Sequence, residues 1–446
     1  MSTILSQEMR EKETRTHHEK LIWTRLVTVV LGIWLLVSPE TFGYMHQPST
    51  YSDWISGALL IFFGFLSMSY RFRWWIWGGV VVGIWLQFAP LLFWAKEPVI
   101  YLNDTIIGVL AISVGILAPI RPHSLDLGPE IPLGWTYNPS SWNQRIPVIF
   151  FAMVGWFIAR YLASFQLHYI NYVWDPFFGM GTEKVITSMI SQQFPVPDAG
   201  LGAMAYSLEA LMGAKGSARR WHTMPWIVVI FGILVVPLGF VSILLVMLQP
   251  IAVGAWCGLC LLIAVCMLVM LALTVDEVVA VCQYLNRVRK EGKGFWGIFL
   301  KGSAYSERGV DTRDPGFRCS IWKNFKAMVW GVTVPWNLLA TTLIGIWLLF
   351  SNHKLGYTGI LADNTDVCGA LIVVFSVISW AEVIRPFRFI NMIIALWFGV
   401  APLIIPGNPG PLIYWHSAII ATIVIILSIF RGKIREHYGP WDKCIF

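Results

Sequence analysis

The sequence predicts an all-α polytopic membrane protein of about twelve transmembrane helices, and three observations carry that prediction. The first is composition: of 446 residues, 57% are hydrophobic and only 13% charged, and the mean hydropathy is +0.65. Values of this kind belong to chains that cross a bilayer repeatedly. The second is a series of apolar runs, each closed by charges or by a Pro/Gly cluster. They lie near 22–38, 54–69, 75–94, 101–119, 146–166, 198–213, 225–248, 256–275, 329–350, 366–382, 389–405 and 411–430. Most approach the roughly 20 apolar residues that a helix needs to span hydrocarbon; the run at 198–213 is short and polar by comparison. The third is where the basic residues fall. With the N-terminus in the cytoplasm, 28 of the 32 Lys and Arg lie inside, and outer loops keep only Lys96, Lys184 and Lys354. That bias is what the positive-inside rule requires.

Taken in order, the chain opens with a polar and charged stretch of twenty residues, so no cleavable signal peptide is expected and both termini are placed in the cytoplasm. The inside set comprises the N-terminal Arg10, Lys12, Arg15, Lys20 and Arg25, then Arg71, Arg73, Arg121, Arg145, Lys215, Arg219 and Arg220. A basic connection at 276–326 follows, then Arg385 and Arg388, and finally Arg431, Lys433, Arg435 and Lys443. The net charge of +7 would suggest nucleic acid in a soluble chain; spread over the loops of a membrane protein it sets orientation, and no nucleic-acid partner is expected. Membrane lipid is the partner that composition implies.

A repeat frames the chain. Gly32-Ile33-Trp34-Leu35-Leu36-Val37-Ser38-Pro39 recurs as Gly83-Ile84-Trp85-Leu86-Gln87-Phe88-Ala89-Pro90 and as Gly345-Ile346-Trp347-Leu348-Leu349-Phe350-Ser351-Asn352. A weaker copy is Ala395-Leu396-Trp397-Phe398-Gly399-Val400-Ala401-Pro402. Each copy ends an outward span and is followed by a returning span, with Gly57, Gly108 and Gly369 early in three of them. Two copies make a four-helix unit, present once before and once after the middle of the chain. Tryptophan suits the membrane interface, proline stops the helix, and glycine lets helices pack closely. No buried charge pair or broken helix is legible in these units, so the repeat reads as structural rather than as a transporter half.

The middle of the chain carries the chemistry. The apolar run at 249–274 opens Gln249-Pro250-Ile251-Ala252-Val253-Gly254-Ala255-Trp256-Cys257-Gly258-Leu259-Cys260. Pro250 and Gly254 predict an irregular start that places Cys257 and Cys260 on the first turn of the following helix. Three-residue spacing puts both sulfurs on one face, where a disulfide is possible and the helix N-terminus stabilises a thiolate. The topology sets them near the non-cytoplasmic face, the oxidising side. Cys282, Cys319 and Cys444 read as cytoplasmic thiols, Cys266 and Cys368 as packing residues. Arg160 and Glu209 lie inside spans, within reach of a membrane edge to which they can snorkel. No metal site is expected, since the nine histidines do not pair with the cysteines at zinc-ligand spacing.

These features resemble two families. The Gly-Ile-Trp-Leu copies resemble the SPW repeat of prokaryotic membrane proteins, with Asn352 departing from the proline of the motif. The segment at 146–285 resembles the vitamin K epoxide reductase (VKOR) family: a first span, then Trp174-Asp175-Pro176-Phe177-Phe178-Gly179, then a short amphipathic stretch at 183–194. Asp198-Ala199-Gly200-Leu201-Gly202-Ala203-Met204-Ala205-Tyr206, a third span and the Cys257-x-x-Cys260 pair complete the order. This divides the chain into a tail (1–21), a repeat unit (22–120), a linker (121–145), a VKOR-like four-helix bundle (146–285), a basic linker (286–328), a second repeat unit (329–430) and a tail (431–446).

The resemblance implies a thiol oxidoreductase in an inner (plasma) membrane that passes electrons from external thiols to a membrane quinone, ubiquinone or menaquinone. It implies that Cys260 faces the quinone while Cys257, nearer the surface, exchanges disulfides with the donor. Asp198, Trp174, Phe178 and Tyr206 are the implied quinone-side residues; an N-cap is the alternative for Asp198. No cysteine occurs between Met1 and Trp256, so the family's loop-cysteine relay is missing. A separate periplasmic thioredoxin-like donor, a small thiol, or loss of thiol oxidation in a non-catalytic scaffold or carrier all remain open.

Overall fold

Apolar side chains at helical spacing build twelve long helices in the computed structural model, one on each of the twelve runs. In chain order these are α1 (Ile22–Phe42), α2 (Gln47–Met68), α3 (Ile76–Leu92), α4 (Pro98–Leu117), α5 (Trp142–Gln166) and α6 (Asp198–Ala214). They continue with α7 (Pro225–Leu248), α8 (Gly258–Lys290), α9 (Trp336–Leu355), α10 (Ile360–Ile378), α11 (Arg388–Ile404) and α12 (Pro411–Ile429). The structure describes residues 7–117, 129–303, 311, 313–316, 319–406 and 410–445; Arg121, Arg308 and Arg318 of the basic set lie outside them. Among the described residues ten segments are long and apolar enough to cross a membrane, and Trp336–Asn352 of α9 is a shorter apolar stretch. The chain is therefore an all-α polytopic membrane protein.

Helix ends follow local chemistry. Ser141 caps α5 by accepting the Gln144 N–H, the usual role of a serine at that position. The repeat prolines do not stop their helices outright: α1 runs on from Pro39 to Phe42, and α3 from Pro90 to Leu92. Where Asn352 replaces proline, α9 still ends within a turn, at Gly356. The proline is thus dispensable for the stop. The predicted amphipathic stretch at 183–194 is helical only over Gly181–Ile186.

Packing groups the helices in fours. Helices α1–α4 close a ring, α5–α8 a second and α9–α12 a third; α3 and α4 lean on α6, and α10 on α7 and α8. The outer rings are held by one device. A Cβ on Gly32 would stand 2.6 Å from the Gly57 carbonyl oxygen, and one on Gly57 2.7 Å from that of Gly32. Gly83 with Gly108 (2.8 and 2.6 Å) and Gly345 with Gly369 (2.8 and 2.9 Å) repeat this backbone contact, which only glycine permits. The repeat tryptophans then cross-link each ring: Trp34 Nε1 donates to Asn103 Oδ1 (2.9 Å) and Trp85 Nε1 to Ser52 Oγ (3.0 Å). In the last ring Trp347 donates to His416 Nε2 (3.1 Å) and Trp397 to Asn364 Oδ1 (2.8 Å). Every tryptophan reaches the polar residue five positions before the glycine, or before the equivalent Ala421, of the other copy. The copies are therefore related by an exchange, as a pseudo-two-fold axis demands.

One sequence expectation fails here. The first ring does hold a buried ionisable pair, Asp53 of α2 facing Asp104 of α4.

At the basic end of the rings a polar network ties distant segments together. Arg220 forms a buried ion pair with Glu277 (2.5 Å), and Arg145 donates to the carbonyls of Gly213, Lys215 and Gly216. Removing one partner of such a buried pair strands a charge. Thr136 Oγ1 and Arg313 both donate to Glu436, while Tyr137 donates to Asp276 and Trp135 packs edge-on against Tyr438.

Candidate functional site

The site is built where α7 gives way to α8. Pro250 has no N–H to continue the helix, so the chain leaves α7 through a wider turn at Gln249–Val253 and reverses at Gly254, whose φ of 66° favours glycine. The irregular start is as the sequence predicts, but its register differs. Cys257 is the N-cap of α8 rather than part of its first turn, in extended conformation, and Cys260 is the third helical residue. Their Cα atoms are 5.2 Å apart and their sulfurs are joined in a disulfide. The Cys260 N–H points at Cys257 Sγ (3.0 Å), and the Cys257 N–H donates to Gln249 Oε1 (3.0 Å). Free N–H groups at a helix start stabilise negative sulfur.

The two cysteines differ in surroundings, and not as the sequence suggested. Cys257 is fully buried, at 0% exposure, beneath Leu162, Val173, Ile186 and Leu259. Cys260 is only partly buried and lines a cavity of about 130 Å³. The shorter path from the surface therefore does not make Cys257 the accessible sulfur; the 173–187 segment covers it.

Asp175 fastens that cover. Its carboxylate accepts the N–H groups of Phe177 and Phe178 (2.9 Å each), the N–H and hydroxyl of Thr182 (3.1 and 2.6 Å), and the Gly258 N–H at the start of α8 (3.3 Å). Partial burial pushes its carboxyl up, but the hydrogen bonds from Thr182, Phe177, Phe178 and Gly258 outweigh it and hold the group at about 2. Gly258 must be glycine for this contact, since a Cβ would lie 2.6 Å from Asp175 Oδ1.

The cavity lies among α5, α6, α7 and α8, with apolar walls that include Leu162, Leu245 and Ile263. Its polar residues include Asp198, Ser191, Gln249 and Tyr206. Asp198 Oδ1 accepts hydrogen bonds from Gln166 Nε2 (2.5 Å), Ser191 Oγ (2.8 Å) and the Ala199 N–H (2.8 Å). It is the first residue of α6, and Pro197 is the N-cap. The Tyr206 hydroxyl is buried with no hydrogen-bond partner, an expensive state for a donor in an apolar bundle.

Of the six residues singled out in the sequence, Cys260, Asp198 and Tyr206 meet at this cavity, and Cys257 lies directly behind it. Trp174 and Phe178 do not line it. Trp174 is exposed at the surface with its N–H on the Tyr161 hydroxyl, and Phe178 is half-buried in the Asp175 turn. Glu209 is 0% exposed with both carboxyl oxygens unpartnered, so it does not snorkel. Arg160 turns inward to Thr105 Oγ1 (2.7 Å) and stacks over Tyr101, closing the seam between the first two rings. Among the other cysteines, Cys266 and Cys368 are buried while Cys282, Cys319 and Cys444 are exposed. Sequence reasoning passed over Asp175, Gln166 and Gln249. The signal for Asp175 was present, an aspartate opening a turn before Pro176; Gln249 stood out only as a polar residue ending a wholly apolar helix.

Comparison with known proteins finds two matching regions. Residues 146–275 match the vitamin K epoxide reductase family and residues 22–118 the SPW repeat domain. No curated protein and no solved structure matches the chain. The chain thus carries a vitamin K epoxide reductase family domain joined to an SPW repeat domain.

Proposed function

We propose that this protein is a quinone-linked thiol oxidoreductase that forms disulfides in proteins on the non-cytoplasmic side of an inner membrane. In this reading both termini are cytoplasmic, and the VKOR-like bundle of 146–285 sits between repeat units at 22–120 and 329–430. The observation that carries it is the opening of the Cys257–Cys260 disulfide, through Cys260, onto an apolar cavity that is also lined by Tyr206, whose buried hydroxyl has no partner. A quinone fits that set: its ring suits the walls, and a carbonyl oxygen suits the free donor.

The thiol steps follow from the sulfurs. A donor thiolate attacks Cys257 Sγ, forming a mixed disulfide and releasing Cys260 as a thiolate. A second donor thiol then attacks that mixed disulfide, so the donor leaves as a disulfide and the pair is left reduced by two electrons. Returning to the disulfide, the Cys257–Cys260 pair gives up two electrons and two protons, which a ubiquinone or menaquinone held in the cavity would accept. Tyr206 would orient the acceptor by turning its hydroxyl to it, Asp198 with Gln166 and Ser191 would supply a polar edge, and the Cys260 N–H steadies charge on Cys257. Val173 and Ile186 move aside to admit the donor, a separate thioredoxin-like protein or a small thiol.

Thiol trapping in isolated membranes tests this reading. The pair is reduced, the reductant removed, quinone added without oxygen, and free thiols tagged by mass. Loss of tagging at both Cys257 and Cys260 only after quinone addition, with Cys266 unchanged, is the expected result. Cys257→Ser and Cys260→Ser should each abolish quinone-dependent oxidation of an added thiol. If both cysteines stay reduced with ubiquinone and with menaquinone analogues, the domain is a scaffold and the oxidoreductase reading falls.

A further inference from the structure

The first ring contains a second candidate site, independent of the cysteines. Asp53 and Asp104 occupy equivalent places in the two copies, each four residues before the glycine of its crossing, Gly57 or Gly108. The exchange that cross-links the copies brings their carboxyls face to face. Asp53 is 0% and Asp104 1% exposed, and neither oxygen of Asp53 nor Oδ1 of Asp104 has a hydrogen-bond partner. Tyr44, from the α1–α2 connection, lies beside Asp53 and accepts a hydrogen bond from Asn103 Nδ2 (3.2 Å). Tyr169, from the stretch after α5, is the other titratable group in range of Asp104. Among the described residues α3 carries no acidic or basic group, Arg25 and Glu40 of α1 do not act on the pair, and no lysine or arginine acts on either carboxyl. A separate orphan stands close by: Gln87 of α3 packs its Cγ against Gly108, one turn from Asp104, with its amide nitrogen buried and unpartnered.

The fold does not demand these acids. In the last ring the same places are held by Thr365 and Ser417, both satisfied, Thr365 by the Leu361 carbonyl (2.9 Å) and Ser417 by Tyr357 (3.1 Å). Tyr357 is the repeat equivalent of Tyr44, so the tyrosine is kept where the acids are not. Two carboxylates in contact, buried in a membrane-spanning bundle without a counter-charge, cannot both be ionised. A proton held between them removes the repulsion and gives one oxygen a donor.

We propose that Asp53 and Asp104 form a proton-binding site inside the first ring, the two carboxyls sharing a single exchangeable proton. The pair sits near the end of the ring where α2 and α4 begin, the end that Tyr44 borders. Exchange therefore runs past Tyr44 and Asn103.

Infrared spectroscopy of the full-length protein in lipid vesicles tests the proposal. Near neutral pH in potassium buffer, the carbonyl band of one protonated carboxyl should shift on transfer to heavy water. It should vanish in Asp53→Thr with Asp104→Ser, which installs the residues of the last ring, and persist in Glu209→Gln. Asp104→Asn alone provides the same loss should the double variant not fold. A difference spectrum unchanged by these substitutions overturns the proposal. So does loss of two protonated carboxyls rather than one. Abolition of the band when sodium replaces potassium at fixed pH also overturns it, making the pair a metal-cation site. The cysteine chemistry is read by other assays, so failure of one reading leaves the other standing.

Discussion

The first and last rings are built on one plan and filled differently. The first ring crosses both hairpins, and the last ring its first hairpin, through glycine backbone contacts, and both link the copies by reciprocal tryptophan hydrogen bonds to the polar residue five places before the crossing. Both set a tyrosine from the first connection, Tyr44 or Tyr357, against that polar position. At the next position toward the crossing they part, with Asp53 and Asp104 in one ring and Thr365 and Ser417 in the other. Shared contacts mark what the ring needs in order to close; the unshared acids mark something added to it. The central ring follows neither pattern. One of its close approaches serves the loop over the disulfide, at Gly181, where a Cβ would stand 2.1 Å from the Trp256 carbonyl oxygen.

The sharpest way to break this comparison is at the crossings. Gly83→Leu and Gly345→Leu should each destabilise their ring by about 3 kcal/mol, the scale of overpacking a tight contact. Thermal unfolding in detergent checks it, and strongly unequal losses would deny the shared plan. Exchanging the unshared residues comes next. Asp53→Thr with Asp104→Ser should raise stability by roughly 2 kcal/mol, and Thr365→Asp with Ser417→Asp should lower it by a similar amount, as buried acids without partners are costly. Smaller still are the cross-links: Trp85→Phe and Trp347→Phe should each cost about 1 kcal/mol, one hydrogen bond.

The smallest effect separates the central ring from its neighbours. Asp175 is held below its unfolded value of 3.8, so its contribution is complete above that value and fades as pH falls toward about 2. Limited proteolysis of the 173–187 segment should accelerate over that acid range, and Asp175→Asn should show the faster cleavage already at neutral pH. Cleavage that is independent of both would remove Asp175 from its role as the fastening.

What the sequence made legible was local. Long apolar runs closed by charges or Pro/Gly clusters made the twelve long helices legible, since the length and apolarity of a span are carried by its own residues. Glycine and tryptophan at constant spacing revealed the repeat, and Pro250 with Gly254 revealed the break before the cysteines. Asp53 and Asp104 stayed hidden because only the exchange between copies makes them neighbours; separately each is one polar residue near a helix start. The burial of Cys257 was equally invisible, for it depends on Val173 and Ile186 folding back over α8. The N-cap position of Cys257 was missed because a shift of one residue at a helix start leaves no mark on composition.

The network at the basic end has a consequence for how the chain is made. Thr136, ahead of the central ring, hydrogen-bonds Glu436, 300 positions later, and Trp135 rests against Tyr438. During synthesis the central helices emerge and insert long before residues 436–438 leave the ribosome. Until then Trp135 and Thr136 lack these partners, and contacts between such distant positions form slowly. The segment that follows the final ring therefore works as a latch on the central ring, closing its basic end only after residues 436–438 have been made.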